Sequence, residues 1–413
     1  MVVAENGTLR DTTGVRPPPY RCSKRESADL RGAGPSGARR AGRAERCAVP
    51  RPDHDAAAQP AGLPYDGVMT LAAIARAPRI GPIQLSSPVV VAPMVGVTDV
   101  PTRALAHELG AALVCCEMTA SEAVVRSTDA AMALLDFPGD VRPAAAQLVG
   151  GDATVMAEAA RVCVARGAQI VDVNLGCPVP KVVNRGSGAA LARDIHATAQ
   201  VIEAMVRAVP VPVTAKMRLG WDHNTINAPE LARALQDAGA AAVSVHGRTR
   251  NQKYQGRADW AEIARVKEAV QIPVFGSGDV DDADLAAERV RSGVVDGVVV
   301  ARGLLGNLWF VHQLVTLLTS GERVADLSFA ERIALTRRHV EKLCAHHGDE
   351  RALRIGRKYV AWAVKGCNGA ARLRARVQEM DTRERLDALL DSAVRAGLGP
   401  GGWYRPAFTS GEG

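Results

Sequence analysis

Cys177 stands between Gly176 and Pro178, in a turn that follows the apolar run Ile170-Val171-Asp172-Val173 and Asn174. A thiol held at a strand end over a pocket can serve as a nucleophile or as a proton donor. No histidine adjoins it in the manner of a thiol protease, so acid catalysis is the better reading. Lys216 closes the run Val211-Pro212-Val213-Thr214-Ala215-Lys216. A lysine ending a buried strand either meets an anion or an electron-rich ring or snorkels to solvent. Gln147 sits inside the apolar stretch Ala145–Val149. Its amide must be paired there, and because it both donates and accepts it suits the edge of a pyrimidine-like ring. His246, followed by Gly247-Arg248-Thr249, is either a satisfied core imidazole or a ligand. Two short turns, Gly276-Ser277-Gly278-Asp279 and Ala301-Arg302-Gly303, lead into helical patterns. Backbone N–H groups at such turns approach an anion closely, so the pair points to phosphate.

The elements that must position these residues are legible in the alternation of apolar runs with amphipathic stretches. Eight β-branched or apolar runs begin at residues 89, 112, 145, 170, 211, 242, 272 and 297. Near-continuous apolar runs mean strands buried on both faces, as in a parallel sheet. Helical patterns fill the gaps, among them Asp152 to Arg166 and Pro229 to Ala238, each stopped by a glycine, Gly167 and Gly239. Eight β-then-α units read as a (β/α)8 TIM barrel, with a doubly wound open sheet as the alternative. In such a barrel the active site lies at the C-terminal ends of the strands, where the residues above fall.

Beyond a helix near Leu304–Leu318 the pattern becomes helical alone. Ser328-Phe-Ala-Glu331 has the spacing of a capping box, followed by Ile333, Val340 and Leu343 on one face. A second helix is expected over about Glu350–Lys365, and a third opens at Thr382 with Leu386, Leu389, Leu390 and Val394 before Gly397. Residues 331–413 hold 16 Lys+Arg against 10 Asp+Glu, most of the chain's formal charge of +7. On the second helix Arg351, Arg354, Lys358 and Lys365 recur at helical steps, a stripe that is either a solvated face or a nucleic-acid contact.

Residues 1–68 are rich in Pro, Gly and Arg and poor in Ile, Leu and Phe, which marks a disordered extension, with Met69 a natural start. The expected organisation is therefore 1–68 extension, 69–325 barrel, 326–398 small all-helical C-terminal domain and 399–413 flexible tail. With 47% hydrophobic and 23% charged residues the 413-residue chain is neither wholly disordered nor fibrous. No apolar run approaches the roughly 20 residues of a membrane span, and no signal-peptide pattern follows Met1. Eight scattered cysteines without a Cys-x-x-Cys pair suggest neither zinc nor disulfides. A cytoplasmic, metal-free monomer is expected.

The segment from Asp172 to Ala189, with Asn174-Leu-Gly176-Cys177-Pro178 and Asn184-Arg185-Gly186-Ser-Gly188, resembles the signature of the tRNA-dihydrouridine synthase family, in its bacterial DusB-like branch. Ala92-Pro93-Met94, Lys216-Met-Arg218 and His246-Gly-Arg248-Thr249 extend the resemblance over roughly Ile80 to Val394. The resemblance implies FMN-dependent reduction of uridines in tRNA to dihydrouridine, with NADPH as reductant. It implies that Pro93, Met94 and Val95 line the flavin through their backbone and that Gln147 holds its ring edge. It places Lys216 and His246 on the cofactor, Ser277, Gly278, Asp279, Ala301 and Arg302 around its phosphate, and Cys177 as catalytic acid. Asn174 and Arg248 would meet the uridine, and Arg354 and Lys358 the tRNA. The chain departs from the family pattern with Ser277 for a usual Asn and Ala301 for a usual Gly; both leave the backbone donors in place. A flavin enzyme acting on a free pyrimidine is the second reading and an RNA-binding protein without catalysis the third. The second leaves the basic helical domain without a purpose, and Gln147, Lys216 and Cys177 together argue against the third.

Overall fold

Eight parallel strands close on themselves: β1 (Val89–Val91), β2 (Leu113–Cys115), β3 (Ala144–Val149), β4 (Ile170–Leu175), β5 (Val213–Arg218), β6 (Ala242–His246), β7 (Val274–Ser277) and β8 (Gly297–Val300). Each pairs with its sequence neighbour, and β8 pairs with β1, so the sheet has no open edge. This is the expected TIM barrel, seen in a computed structural model that describes residues 77–399. The expectations for 1–68 and for the tail beyond 399 lie outside the described residues.

Both faces of every strand are buried, and the two-residue period assigns the side chains. Val89, Val91, Val114, Ala146, Val171, Val173, Ala215, Val243 and Val298 join the layer against the surrounding helices. Val90, Leu113, Cys115, Ala145, Ile170, Ala242, Phe275 and Val299 fill the lower interior. A hairpin that the sequence pattern missed, Arg79–Ile80 with Ile83–Gln84, closes the floor: Ile80 and Leu85 are buried in the same interior cluster.

The helices are α1 (Val100–Glu108), α2 (Ala153–Ala165), α3 (Ile195–Ala208), α4 (Ala228–Asp237), α5 (Trp260–Ala269), α6 (Ala283–Arg291) and α7 (Trp309–Thr319). After β2 two short helices, Ser121–Val125 and Asp129–Leu134, replace a single long one. Asp99, Asp152, Asp194, Asp259 and Asp282 cap α1, α2, α3, α5 and α6 by accepting from backbone N–H groups, each cap contributing roughly 1 kcal/mol. Gly167 and Gly239 take the positive φ that ends α2 and α4. The helix expected from Leu304 begins only at Trp309. Gly306, at φ +78°, breaks it, and a Cβ there would press on the Trp362 backbone at 3.0 Å.

Four more helices follow: α8 (Phe329–His347), α9 (Asp349–Ala363), α10 (Ala370–Arg376) and α11 (Arg383–Ala396). The Ser328–Glu331 capping box forms as the spacing indicates. Ile333, Val340, Leu343, Leu353, Val360, Leu386, Leu389 and Leu390 build a separate apolar cluster, whereas Val394 faces outward. The helix α10 has no counterpart in the sequence reading.

Polar contacts bind this bundle to the loop after β1 and to α1. His339 Nε2 lies 2.9 Å from Thr102 Oγ1, Tyr359 donates to Val97 O at 2.7 Å, and Lys358 donates to Gly96 O. Arg338 and Lys342 both reach Glu108. No helix among the described residues is long and apolar enough to cross a membrane.

Replacing Ile80 by Ala should lower unfolding stability by about 2–5 kcal/mol, the usual loss for a buried Ile. The urea midpoint reads it; an unchanged midpoint would mean that the hairpin does not close the floor.

Candidate active site

Strand register stacks the polar residues in three levels. Gln147, Asp172 and Thr214 are direct neighbours on β3, β4 and β5. One level up, Asn174, Lys216 and Ser244 are neighbours on β4, β5 and β6. At the mouth stand Arg218, His246 and Ser277 on β5, β6 and β7. Lys216 thus lies within its strand, not at its end: β5 continues to Arg218. A small cavity lies among Pro93, Cys115, Asp172, Thr214, Lys216 and Ser244, above Ile80 and Phe275.

The turn after β4 carries Cys177. Asn174 Oδ1 accepts from Gly176 N at 3.1 Å and Cys177 N at 2.8 Å. The chain then wraps back so that Ala189 N donates to Cys177 O at 3.2 Å. Gly188, at φ +60°, permits this return, for a Cβ there would meet Cys177 O at 3.0 Å and Val182 at 2.9 Å. Of the six described cysteines Cys177 alone is not buried. Partial burial pushes its thiol up from the ordinary value, while the Val179 N–H and the Arg218 guanidinium oppose the rise. The group is therefore a protonated thiol whose anion has two stabilising neighbours.

Two arginines act as struts. Arg218 donates to Gly176 O at 2.8 Å, Thr249 O at 3.1 Å and Lys253 O at 2.9 Å, tying together the loops after β4 and β6. Arg248, expected at the substrate, is instead fully buried. It donates to Gln255 O, Gly256 O and both carboxylate oxygens of Asp279, and five rigid donors leave it little else to reach. Asp279, expected at the phosphate, accepts from Arg248 and from Ala258 N at 2.7 Å, so its carboxylate braces the loop.

His246 is held well below the ordinary value, first by burial and then by Arg218, Lys216, Arg248 and Arg302. It is neutral, and since Arg248 Nη1 at 3.4 Å can only donate, Nε2 accepts and the proton sits on Nδ1. The Lys216 ammonium is pulled down to about 8 by burial and by Arg218, while Asp172 and Cys115 hold it up. The Arg302 guanidinium lies 4.6 Å from the Tyr254 ring centroid and 3.5 Å from Asp279. Met94 spends its backbone locally: its N–H donates to Thr98 Oγ1 and its carbonyl accepts from Val97 and Thr98. It can line a ligand only by contact, and Val95 beside it is 65% exposed.

The two residues expected on RNA part company. Arg354 is exposed and pairs with Glu350 at 3.2 Å. Lys358 turns to the barrel, where it holds the Gly96 carbonyl near Glu117 and Asp99. Sequence reasoning also passed over Asp172, Glu117 and Tyr254. Asp172 was detectable as a lone carboxylate in an apolar strand. Glu117, buried and accepting from Gly96 N at 2.7 Å, had no comparable signal.

The charge of the site suits an anionic cofactor. Arg218, Arg248 and Arg302 at the mouth, with Lys216 one level below, gather more positive charge than Asp172 and Asp279 balance, which favours an anionic ligand. At Gly278, φ +113°, a Cβ would strike the His246 ring at 2.9 Å and Ala258 at 2.6 Å, so only a bare backbone fits there. Among the described residues no group of three or more His, Cys, Asp or Glu could hold a metal ion.

The sequence matches the family described as Dihydrouridine synthase (Dus) over residues 90–397. It is 41% identical over 325 residues to tRNA-dihydrouridine synthase B of Xanthomonas campestris pv. campestris, covering 78% of this chain and 98% of that one. It is 39% identical over 308 residues to tRNA-dihydrouridine synthase B of Pseudomonas aeruginosa, covering 74% and 93%. A protein of Rickettsia conorii described as a probable tRNA-dihydrouridine synthase is 41% identical over 304 residues, covering 73% and 92%. With the family pattern spanning both the barrel and the helical bundle, the chain belongs to the dihydrouridine synthase family.

Proposed function

We propose that this protein reduces the C5=C6 bond of uridines in tRNA to 5,6-dihydrouridine, with FMN as cofactor and NADPH as reductant. The observation that carries the reading is a protonated, partly buried thiol, Cys177, on the turn above a cation-rich barrel mouth with Lys216 one level below it. Lys216 and the spare donor of Gln147 would hold the flavin ring, while Ser277, Gly278, Ala301 and Arg302 would hold its phosphate. Bound there, FMN would take two electrons from NADPH and supply them as hydride to C6 of the uracil.

The residues of the chain do the rest. Cys177 gives its proton to C5, and the thiolate left behind is favoured by Arg218 and the Val179 N–H. Lys216 places positive charge beside the ring, where negative charge gathers. The uridine must leave its stack to enter, at a cost of a few kcal/mol. Exposed arginines on the bundle, Arg351, Arg354, Arg372 and Arg374, supply phosphate contacts that offset it.

Cys177→Ala should keep FMN and its reduction by NADPH, while reoxidation by tRNA falls about 10²–10⁴-fold, the usual contribution of a positioned general acid. Stopped-flow absorbance gives both rates on one protein. If both fall together the thiol is structural, and if neither falls it is not the acid.

Charge reversal at Arg351 and Arg354 should weaken tRNA binding and flatten the slope of log K against log salt by about 0.7–0.9 per lost phosphate contact. Parallel salt plots for variant and parent would return this face to bulk solvent.

Lys216 faces Asp172 on β4, Cys115 on β2, His246 on β6 and Arg218 on its own strand. It is charged below about 8 and neutral above. FMN affinity measured by equilibrium dialysis should therefore fall as pH rises through that value, and Lys216→Gln should remove the step. A parent profile without a step would separate Lys216 from the cofactor.

A further inference from the structure

One chain of side-chain hydrogen bonds crosses three strands of the barrel, and its direction is set at one end. Asp172 accepts on Oδ1 from Thr214 Oγ1 at 2.6 Å and on Oδ2 from Gln147 Nε2 at 2.7 Å. Gln147, having turned its amine to Asp172, presents Oε1 to Asn174 Nδ2 at 2.8 Å. Asn174, so oriented, has its own carbonyl oxygen left for the N–H groups of Gly176 and Cys177. A carboxylate has only acceptor sites, whereas a side-chain amide fits its pocket in two orientations that differ by exchanging O and N. The carboxylate removes that ambiguity for Gln147, and Gln147 removes it for Asn174.

We infer that Asp172 is a positioning residue: its carboxylate fixes the orientation of both amides and, through Asn174, the turn that bears Cys177. The inference rests on the proposed function in that Cys177 is taken as the proton donor. Were both amides reversed, Asn174 Nδ2 would face the Cys177 N–H, donor against donor, and the turn would lose its anchor. Burial pushes the Asp172 carboxyl up, and the bonds from Gln147 and Thr214 and the nearby Lys216 oppose that rise. Asp172 is itself nearly buried, at 8% exposed, and Gln147 is fully buried, so bulk water does not compete for these bonds.

Asp172→Asn tests the inference, because it preserves shape and removes a buried charge. It also offers both a donor and an acceptor to Gln147, so both amide orientations become available. In the parent the side-chain amide protons of Gln147 and Asn174 should be protected from solvent exchange. In Asp172→Asn that protection should be lost, and iodoacetamide should alkylate Cys177 faster, as read by peptide mapping. Flavin reoxidation by saturating tRNA should fall by about 10²-fold, the loss expected when a reacting group is misplaced by about 1 Å. KM for tRNA and the melting temperature should change little.

Unchanged amide protection and alkylation in the variant would overturn the inference, as would losses accompanied by a matching fall in melting temperature. If the variant does not fold, the parent still decides: amide protons of Gln147 or Asn174 that exchange freely contradict an ordered chain. Exchange and alkylation are read without tRNA. A parent that does not reduce tRNA would therefore refute the proposed function and leave the positioning role to stand on its own measurements.

Discussion

A carboxylate in the interior of a barrel walled by Val, Ala and Ile must be paired, because an isolated charge there is prohibitively unfavourable. Asp172 meets that requirement with Thr214 and Gln147, and much of the site follows from it. The pairing exists only in one register. Gln147, Asp172 and Thr214 are neighbours across β3, β4 and β5, and a slip of one residue would turn Asp172 out among the helices. The outward set, with Val171 and Val173 against the helix layer, resists such a slip. The alternation that packs the helices is thus the alternation that aims the polar residues inward, and fold and site share one constraint.

Above that level the organising quantity is positive charge. Arg218 and Arg248 are consumed by backbone carbonyls and by Asp279, so they shape loops without needing a ligand. Burial above all, with both arginines acting on His246 and Arg218 on Lys216, keeps His246 neutral and lowers the Lys216 ammonium. The helical bundle fixes the remaining wall. Gly96 is held at both of its backbone polar groups, by Glu117 at its N–H and Lys358 at its carbonyl. Tyr359 and His339 secure Val97 and Thr102 just beyond. The loop after β1 is therefore shared by the barrel and the domain proposed to hold RNA.

What could be read from the sequence was whatever repeats or stands out locally. The eight apolar runs gave the barrel, glycines at 167 and 239 marked helix ends, and Ser328 with Glu331 marked a helix start, as the structure has them. Cys177, Asn174, Gln147, Lys216 and His246 stood out as polar groups on or beside apolar strands, and the barrel gathers them at one end. Direction was not legible. Lys358 shares a helix face with Arg354, yet it turns to a carbonyl 262 residues away. Arg248 lies beside His246 in sequence, but its partner Asp279 is on the next loop. Gly306 precedes α7 at a positive φ, where a Cβ would meet the Trp362 backbone, a restriction that no local pattern records. Such features depend on which surfaces meet, and periodicity does not encode that.

In the proposed reaction a fixed thiol, not water, protonates C5 of the uracil. The most direct test of this is the reaction run in D2O with NADPH and unmodified tRNA, followed by NMR of the dihydrouridine recovered from the digested product. Deuterium should enter a single one of the two positions at C5, because Cys177 exchanges its proton with solvent and delivers it from one side. Deuterium divided equally between the two positions would contradict it, since that is the outcome of protonation by mobile water.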